Sequence, residues 1–101
     1  MKKIIGGKRY NTNTAKILGS AGYSHPGDFA FWVEYLYQKK TGEFFLHGTG
    51  GPMSKYARRV SLNEWTGGEE IIPLSLEEAQ KWAEKHLEVK EFELIFGTCE
   101  E

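Results

Sequence analysis

The residues with the strongest claim to chemistry are Gly48-Thr49-Gly50-Gly51 followed by Ser54-Lys55, where glycine amides could cradle a phosphate and a lysine could neutralise it. The order of a phosphate loop, G-x-x-x-x-G-K-S/T, is absent: Pro52-Met53-Ser54 stand where the closing Gly-Lys belongs, and no dinucleotide fingerprint occurs. The glycines therefore read as a turn at positive φ that lets Trp65 or Tyr56 pack over bare backbone. His25, His47 and His86 are far apart and lack a Cys or acidic ligand motif around them, so no metal centre is expected. His47 reads as a packed or hydrogen-bonded residue beside Tyr35. No spacing joins Asp28 and Glu34 into a working carboxylate pair, and nothing marks a Ser, His and Asp set. Cys99, the only cysteine, has no partner for an intramolecular disulfide and no neighbouring base to activate it. The chain reads as non-enzymatic, with no catalytic residue, cofactor or metal.

Two groups of bases carry aromatics between or beside them: Lys55, Arg58 and Arg59 around Tyr56, and Lys8 and Arg9 beside Tyr10. Such groups suit phosphate contacts with base stacking, and equally a protein interface, where Tyr, Trp and Arg are the usual anchors. The candidate interface is therefore Ser54, Lys55, Tyr56, Arg58 and Arg59, with Lys8 and Arg9. The net charge of -1 conceals a gradient. Lys2, Lys3, Lys8, Arg9 and Lys16 precede any acid, whereas from Glu64 onward eleven glutamates face three lysines. This asymmetry is compatible with nucleic-acid binding. We expect instead that acidic C-terminal helices pack beside a basic sheet and partly neutralise it.

Positioning these residues requires a scaffold, and the local signals describe one. Ile4-Ile5, Gly6-Gly7 and Lys8-Arg9-Tyr10 read as a hairpin. Asn11-Thr12-Asn13-Thr14 offers N-caps for a short helix through Leu18, stopped by Gly19, with a loop over residues 20–27. Residues 29–37, dense in aromatic and β-branched side chains, predict a strand. Lys40-Thr41-Gly42 then predicts a three-residue turn that sets Tyr37 opposite Phe45, Leu36 opposite Leu46 and Tyr35 opposite His47. Residues 52–59 fit a helical turn or an irregular excursion equally well. Trp65-Thr66-Gly67-Gly68 predicts a turn before a strand near Glu70-Ile71-Ile72, whose length Pro73 limits. Ser75-Leu76-Glu77-Glu78 is a capping box opening an amphipathic helix that buries Leu76, Ala79, Trp82, Ala83 and Leu87. A second helix over residues 90–96 offers Phe92, Ile95 and Phe96 to the core and ends at Gly97. The fold class is α+β: a small antiparallel, hairpin-based sheet of about three to five strands against one main C-terminal helix plus short helices. Residues 1–101 form a single domain.

The order Ile4-Ile5-Gly6-Gly7-Lys8-Arg9-Tyr10-Asn11, Gln38-Lys39-Lys40-Thr41-Gly42-Glu43-Phe44-Phe45 and Gly50-Gly51-Pro52-Met53-Ser54-Lys55-Tyr56 resembles a family of small accessory proteins of bacterial mobile elements: plasmids, conjugative elements and prophages. Trp65-Thr66-Gly67-Gly68-Glu69-Glu70 and Glu78-Ala79-Gln80-Lys81-Trp82-Ala83 extend the resemblance along nearly the full chain; Gly6 departs from it, where an Asn-Gly turn is expected. The resemblance implies a protein that binds and inhibits a host protein, as anti-CRISPR and other anti-defence inhibitors in that setting do, and brings no catalytic residue with it. The alternative is a nucleic-acid-binding accessory protein using Lys8, Arg9, Lys55, Arg58 and Arg59. With neither a signal-peptide apolar region nor a membrane-length run, the protein is expected in the cytoplasm, without a membrane partner. The oligomeric state stays open, a homodimer included.

Overall fold

The computed structural model describes residues 1–98 and Glu100. The expectation for Cys99 lies outside the described residues. Strands β1 (Lys2–Ile5) and β2 (Lys8–Asn11) form the expected hairpin. Gly6 and Gly7 close it at φ 59° and 80°, the doubly left-handed turn whose twist suits antiparallel strands.

The helix expected after Asn11 is a turn followed by a strand. Asn11 Oδ1 accepts the Asn13 N–H at 2.9 Å, and the Asn11 carbonyl accepts from Thr14 and Ala15. Those capping residues thus make a local Asx turn, the competing use of the same side-chain chemistry. The chain then extends as β3 (Lys16–Tyr23), which pairs antiparallel with β4 (Trp32–Gln38) and absorbs the first part of the expected loop. Gly19, expected as a helix stop, sits in this strand where Leu87 packs: a Cβ there would stand 2.8 Å from Leu87 Cδ2. In the remaining loop, Asp28 accepts from the Ser24 hydroxyl at 2.7 Å and the Ala30 N–H at 2.8 Å, bonds that hold its carboxyl below the usual range. Asp28 thus braces the loop.

Strand β5 (Phe44–Gly50) pairs with β4 in the expected register, Tyr37 with Phe45, Leu36 with Leu46 and Tyr35 with His47. The Lys39 N–H donates to the Glu43 carbonyl at 2.8 Å, and Gly42 takes φ 95° at the turn. Lys8 reaches the Glu43 carboxylate at 2.9 Å and Lys39 at 3.3 Å, while the Thr41 hydroxyl donates to it at 3.2 Å. The Lys8 hydrogen bond foremost, helped by Lys39 and Thr41, brings the Glu43 pKa down to about 2. A folded value below the unfolded one stabilises the fold above the ordinary glutamate range, and the contribution is lost as pH falls toward the folded value. Carboxyl-carbon NMR should find Glu43 titrating near 2, and Lys8→Ala should return it toward 4.5. An unshifted Glu43 in the unsubstituted protein would refute the ion-pair geometry.

After β5 the chain leaves the sheet, forms a small hairpin of β6 (Arg58–Ser61) and β7 (Glu64–Thr66), and returns as β8 (Gly68–Leu74) alongside β5. The main sheet has the order β3-β4-β5-β8, all antiparallel. Three expectations fail here. The Gly48 to Gly50 stretch is not a turn but the end of β5, paired on both sides, and none of its glycines has positive φ. Trp65 and Thr66 likewise belong to a strand, leaving only Gly67 between β7 and β8. Pro73 does not limit β8, which continues through it to Leu74. An edge strand tolerates proline when the missing N–H falls on the open side.

The Ser75 capping box is present, with the Glu78 N–H donating to Ser75 Oγ at 3.1 Å and the Ser75 N–H to Glu78 Oε1 at 2.9 Å. It opens α1 (Leu76–His86), followed by α2 (Val89–Phe96), which ends at Gly97 with φ 95°. Ala79, Trp82 and Ala83 pack with Leu36, Phe44 and Leu46 on one sheet face, joined by Leu87, Phe92, Ile95 and Phe96. Leu76 is exposed, contrary to expectation. On the opposite face Tyr10 packs against Phe45 and Ile71, and Tyr37 stacks on Phe45 with centroids 5.2 Å apart. The sheet is therefore covered by helices on one side and by the β1–β2 hairpin on the other. The acidic helices pack on the sheet as expected, but on the face opposite the basic hairpin, and Lys8 and Lys39 find their counter-charge in Glu43 rather than in a helix glutamate. No helix among the described residues is long and apolar enough to cross a membrane.

Candidate functional site

Strand alternation places Glu34 on the helix-facing side of β4, between Trp32 and Leu36, where it is only 3% exposed. A carboxylate taken out of water this far must be matched by donors. Trp82 of α1 donates its indole N–H to Oε1 at 2.9 Å, and the Tyr56 hydroxyl and Lys55 ammonium, the latter at 2.9 Å, both reach Oε2. Burial pushes the Glu34 pKa up, but the bonds from Lys55, Tyr56 and Trp82 together outweigh it and hold the carboxyl below its usual range. Burial and then the Glu34 carboxylate drive the Tyr56 hydroxyl strongly upward, so it stays protonated as a donor. Lys55 also lies 4.1 Å above the Trp32 ring, a cation–π contact. His86 closes the cluster against Trp82 at 5.0 Å, its pKa lowered chiefly by burial.

Gly48 is Glu34's directly paired neighbour on β5, and its missing side chain makes room for the Tyr56 ring: any Cβ there would fall on the ring. Gly50 and Gly51 likewise admit Ser54, Phe31 and Phe29. The glycines thus serve close approach of backbone and ring rather than a phosphate. With three donors on two oxygens, Glu34 acts as a clamp. It ties the segment that carries Lys55 and Tyr56 to both the sheet and α1.

That clamped segment leads directly into the β6–β7 hairpin, an arm exposed along both strands. Val60, at a β-bulge, is 60% exposed, Leu62 79% and Trp65 56%, and Arg59 stands opposite Trp65. Arg59 donates from Nε to the Ser61 carbonyl at 3.2 Å and from Nη2 to the Leu62 carbonyl at 2.6 Å, stiffening the arm's own turn. The arm's root, Gly67, abuts Gly50, and the Met53 N–H bonds the Phe29 carbonyl at 2.8 Å, so exposed Phe29 and Met53 lie beside it. Tyr23, level with Trp32 and Gly50 across the sheet, adds a further exposed ring at this end.

The sequence-predicted interface residues separate into three groups. Ser54 bonds the Gly51 carbonyl at 2.8 Å and accepts the Tyr56 N–H at 3.1 Å, shaping the turn, while Lys55 and Tyr56 belong to the Glu34 clamp, with Tyr56 buried. Arg58 and Arg59 lie on the arm. Lys8 and Arg9 lie on β2, near the opposite end of the sheet and by the β4–β5 turn. Sequence reasoning missed Glu34 and Trp82 as partners, and Val60, Leu62 and Trp65 as surface. Glu34 carried a signal, being the only acid within residues 29–37, on the apolar face of a strand. His47, half-buried, stacks on Tyr35 and bonds Glu69 at 3.0 Å. Among the described residues no group of three or more His, Cys, Asp or Glu side chains gathers as a metal site. Comparison of the chain with protein-family models, with curated proteins and with solved structures found no match.

Proposed function

We propose that this protein works by binding another protein through the β6–β7 arm and inhibiting it. A host CRISPR effector is the target singled out by the resemblance to mobile-element accessory proteins. One observation carries the reading: a two-stranded hairpin exposed along both strands nevertheless holds Val60, Leu62 and Trp65 outward. A lone hairpin is marginal in water, so apolar residues there gain nothing for the fold. Trp beside Arg, flanked by exposed Phe29 and Met53, has the composition of an interface anchor. The clamp at Glu34 holds the arm's root still, which lowers the ordering cost of binding.

The test is plasmid interference by a CRISPR-bearing host expressing the protein, alongside Trp65→Ala and Leu62→Ala. The unsubstituted protein should relieve interference. Trp65→Ala should weaken binding of the target by about 30-fold, on the order of 2 kcal/mol, while leaving the melting temperature unchanged. Interference that persists with the unsubstituted protein, or full inhibition by the Trp65→Ala protein, counts against the reading.

A further inference from the structure

At the opposite end of the sheet, the β1–β2 hairpin and the β4–β5 turn enclose a cleft of about 490 Å³. Lys8, Arg9, Lys39 and Lys40 line it, and no carboxylate does. Lys8 and Lys39 are drawn together by Glu43, and Lys39 is further fixed 4.4 Å above the Tyr10 ring. Arg9 and Lys40 are exposed and have no acidic partner among the described residues. Lys16 adjoins them through a second cleft that shares Lys39 and Lys40. Glu43 answers only Lys8 and Lys39; holding Arg9 and Lys40 beside them without a counter-charge costs stability, and the helix glutamates lie across the sheet. A concave surface of one sign concentrates the opposite charge.

We infer that this basic cleft binds the phosphate backbone of duplex nucleic acid, independently of the arm. Asn11 on its wall adds a side-chain amide to the cations, a mixture of donors that contacts phosphate and sugar oxygens. The aromatic ring nearest the cations, Tyr10, is buried beneath Lys39 and unavailable for stacking on bases. Recognition is therefore of the backbone, without sequence preference and without a requirement for unpaired bases. This moves the nucleic-acid surface away from Lys55, Arg58 and Arg59. Of the bases first grouped with them, only Lys8 and Arg9 remain in it.

The experiment is fluorescence anisotropy of short labelled duplexes of unrelated sequence titrated with the full chain at several salt concentrations. Parallel titrations use a single strand and poly-L-glutamate. The expected log-log salt slope is about -3, from roughly three phosphates engaged, equal across sequences. Arg9→Ala and Lys40→Ala should each reduce the slope by about 1 and weaken binding about tenfold at low salt. Arg58→Ala, Arg59→Ala and Trp65→Ala should leave it unchanged, which separates this site from the arm and its failure from failure of the arm. No binding at low salt overturns the inference, as does a salt-independent affinity or loss on the Arg58 and Arg59 substitutions instead. Tighter binding of the single strand overturns the duplex assignment, and equal binding of poly-L-glutamate overturns nucleic acid as the ligand.

Discussion

Glu34→Ala is expected to cost about 2–5 kcal/mol of folding stability, because two buried donors lose their acceptor at about 1–3 kcal/mol each, while half-exposed Lys55 can turn to water. The substitution leaves the Trp82 indole N–H and the Tyr56 hydroxyl without their acceptor and Lys55 without its counter-ion, and it opens space between β4 and α1. Set against a typical domain stability of about 5–15 kcal/mol, that loss brings the chain near the edge of folding. Urea unfolding measures it. Trp82→Phe removes one donor and retains most of the packing, so it should cost only about 1–3 kcal/mol. Because the Glu34 pKa is lowered in the folded protein, its contribution is complete above the ordinary glutamate range and disappears as pH falls through the folded value. The difference between the unsubstituted protein and Glu34→Ala should therefore shrink in acid. A loss below about 1 kcal/mol, the level of an exposed pair, would remove the clamp from consideration.

Gly48→Ala should be the next most damaging single change. β5 is held by β4 on one side and β8 on the other, so the backbone cannot withdraw, and the Tyr56 ring must move instead. Overpacking costs about 1–3 kcal/mol, and losing the charge-assisted Tyr56 bond to Glu34 adds about 1.5–3 kcal/mol. Native-state hydrogen exchange should quicken across residues 51–57 before the rest of the sheet. In a Tyr56→Ala background the room already exists, so Gly48→Ala should then cost little. Additive effects in that double-mutant cycle would show that Tyr56 is not what Gly48 accommodates.

What was legible in the sequence depended on how locally each feature is specified. The Tyr37–Phe45 register followed from a turn of known length, and the start of α1 from four residues that satisfy one another. β3 was hidden because its evidence is remote: Gly19 reports on Leu87, far along the chain, while Asn11 to Thr14 locally favour a cap. Gly48 misled for the same reason, since a glycine needed for a positive φ and one needed to admit a neighbour's ring look identical in sequence. The Glu34 clamp draws on two segments beyond its own strand, and only the oddity of an acid on an apolar strand face pointed to it.

The paired neighbours Gly50 and Gly68 mark where the chain leaves the sheet and where it rejoins it. Paired residues on adjacent antiparallel strands are only about 5 Å apart, so the entire excursion from residue 51 to 67 is a detour between adjoining points. By connectivity alone such a detour could be exchanged for a short turn, or for a different arm, while the meander keeps its path. The chemistry of Glu34 forbids a simple exchange, because the detour supplies two of its three donors. Any graft onto this scaffold must therefore bring a lysine and a tyrosine of its own, or replace Glu34 in the same step.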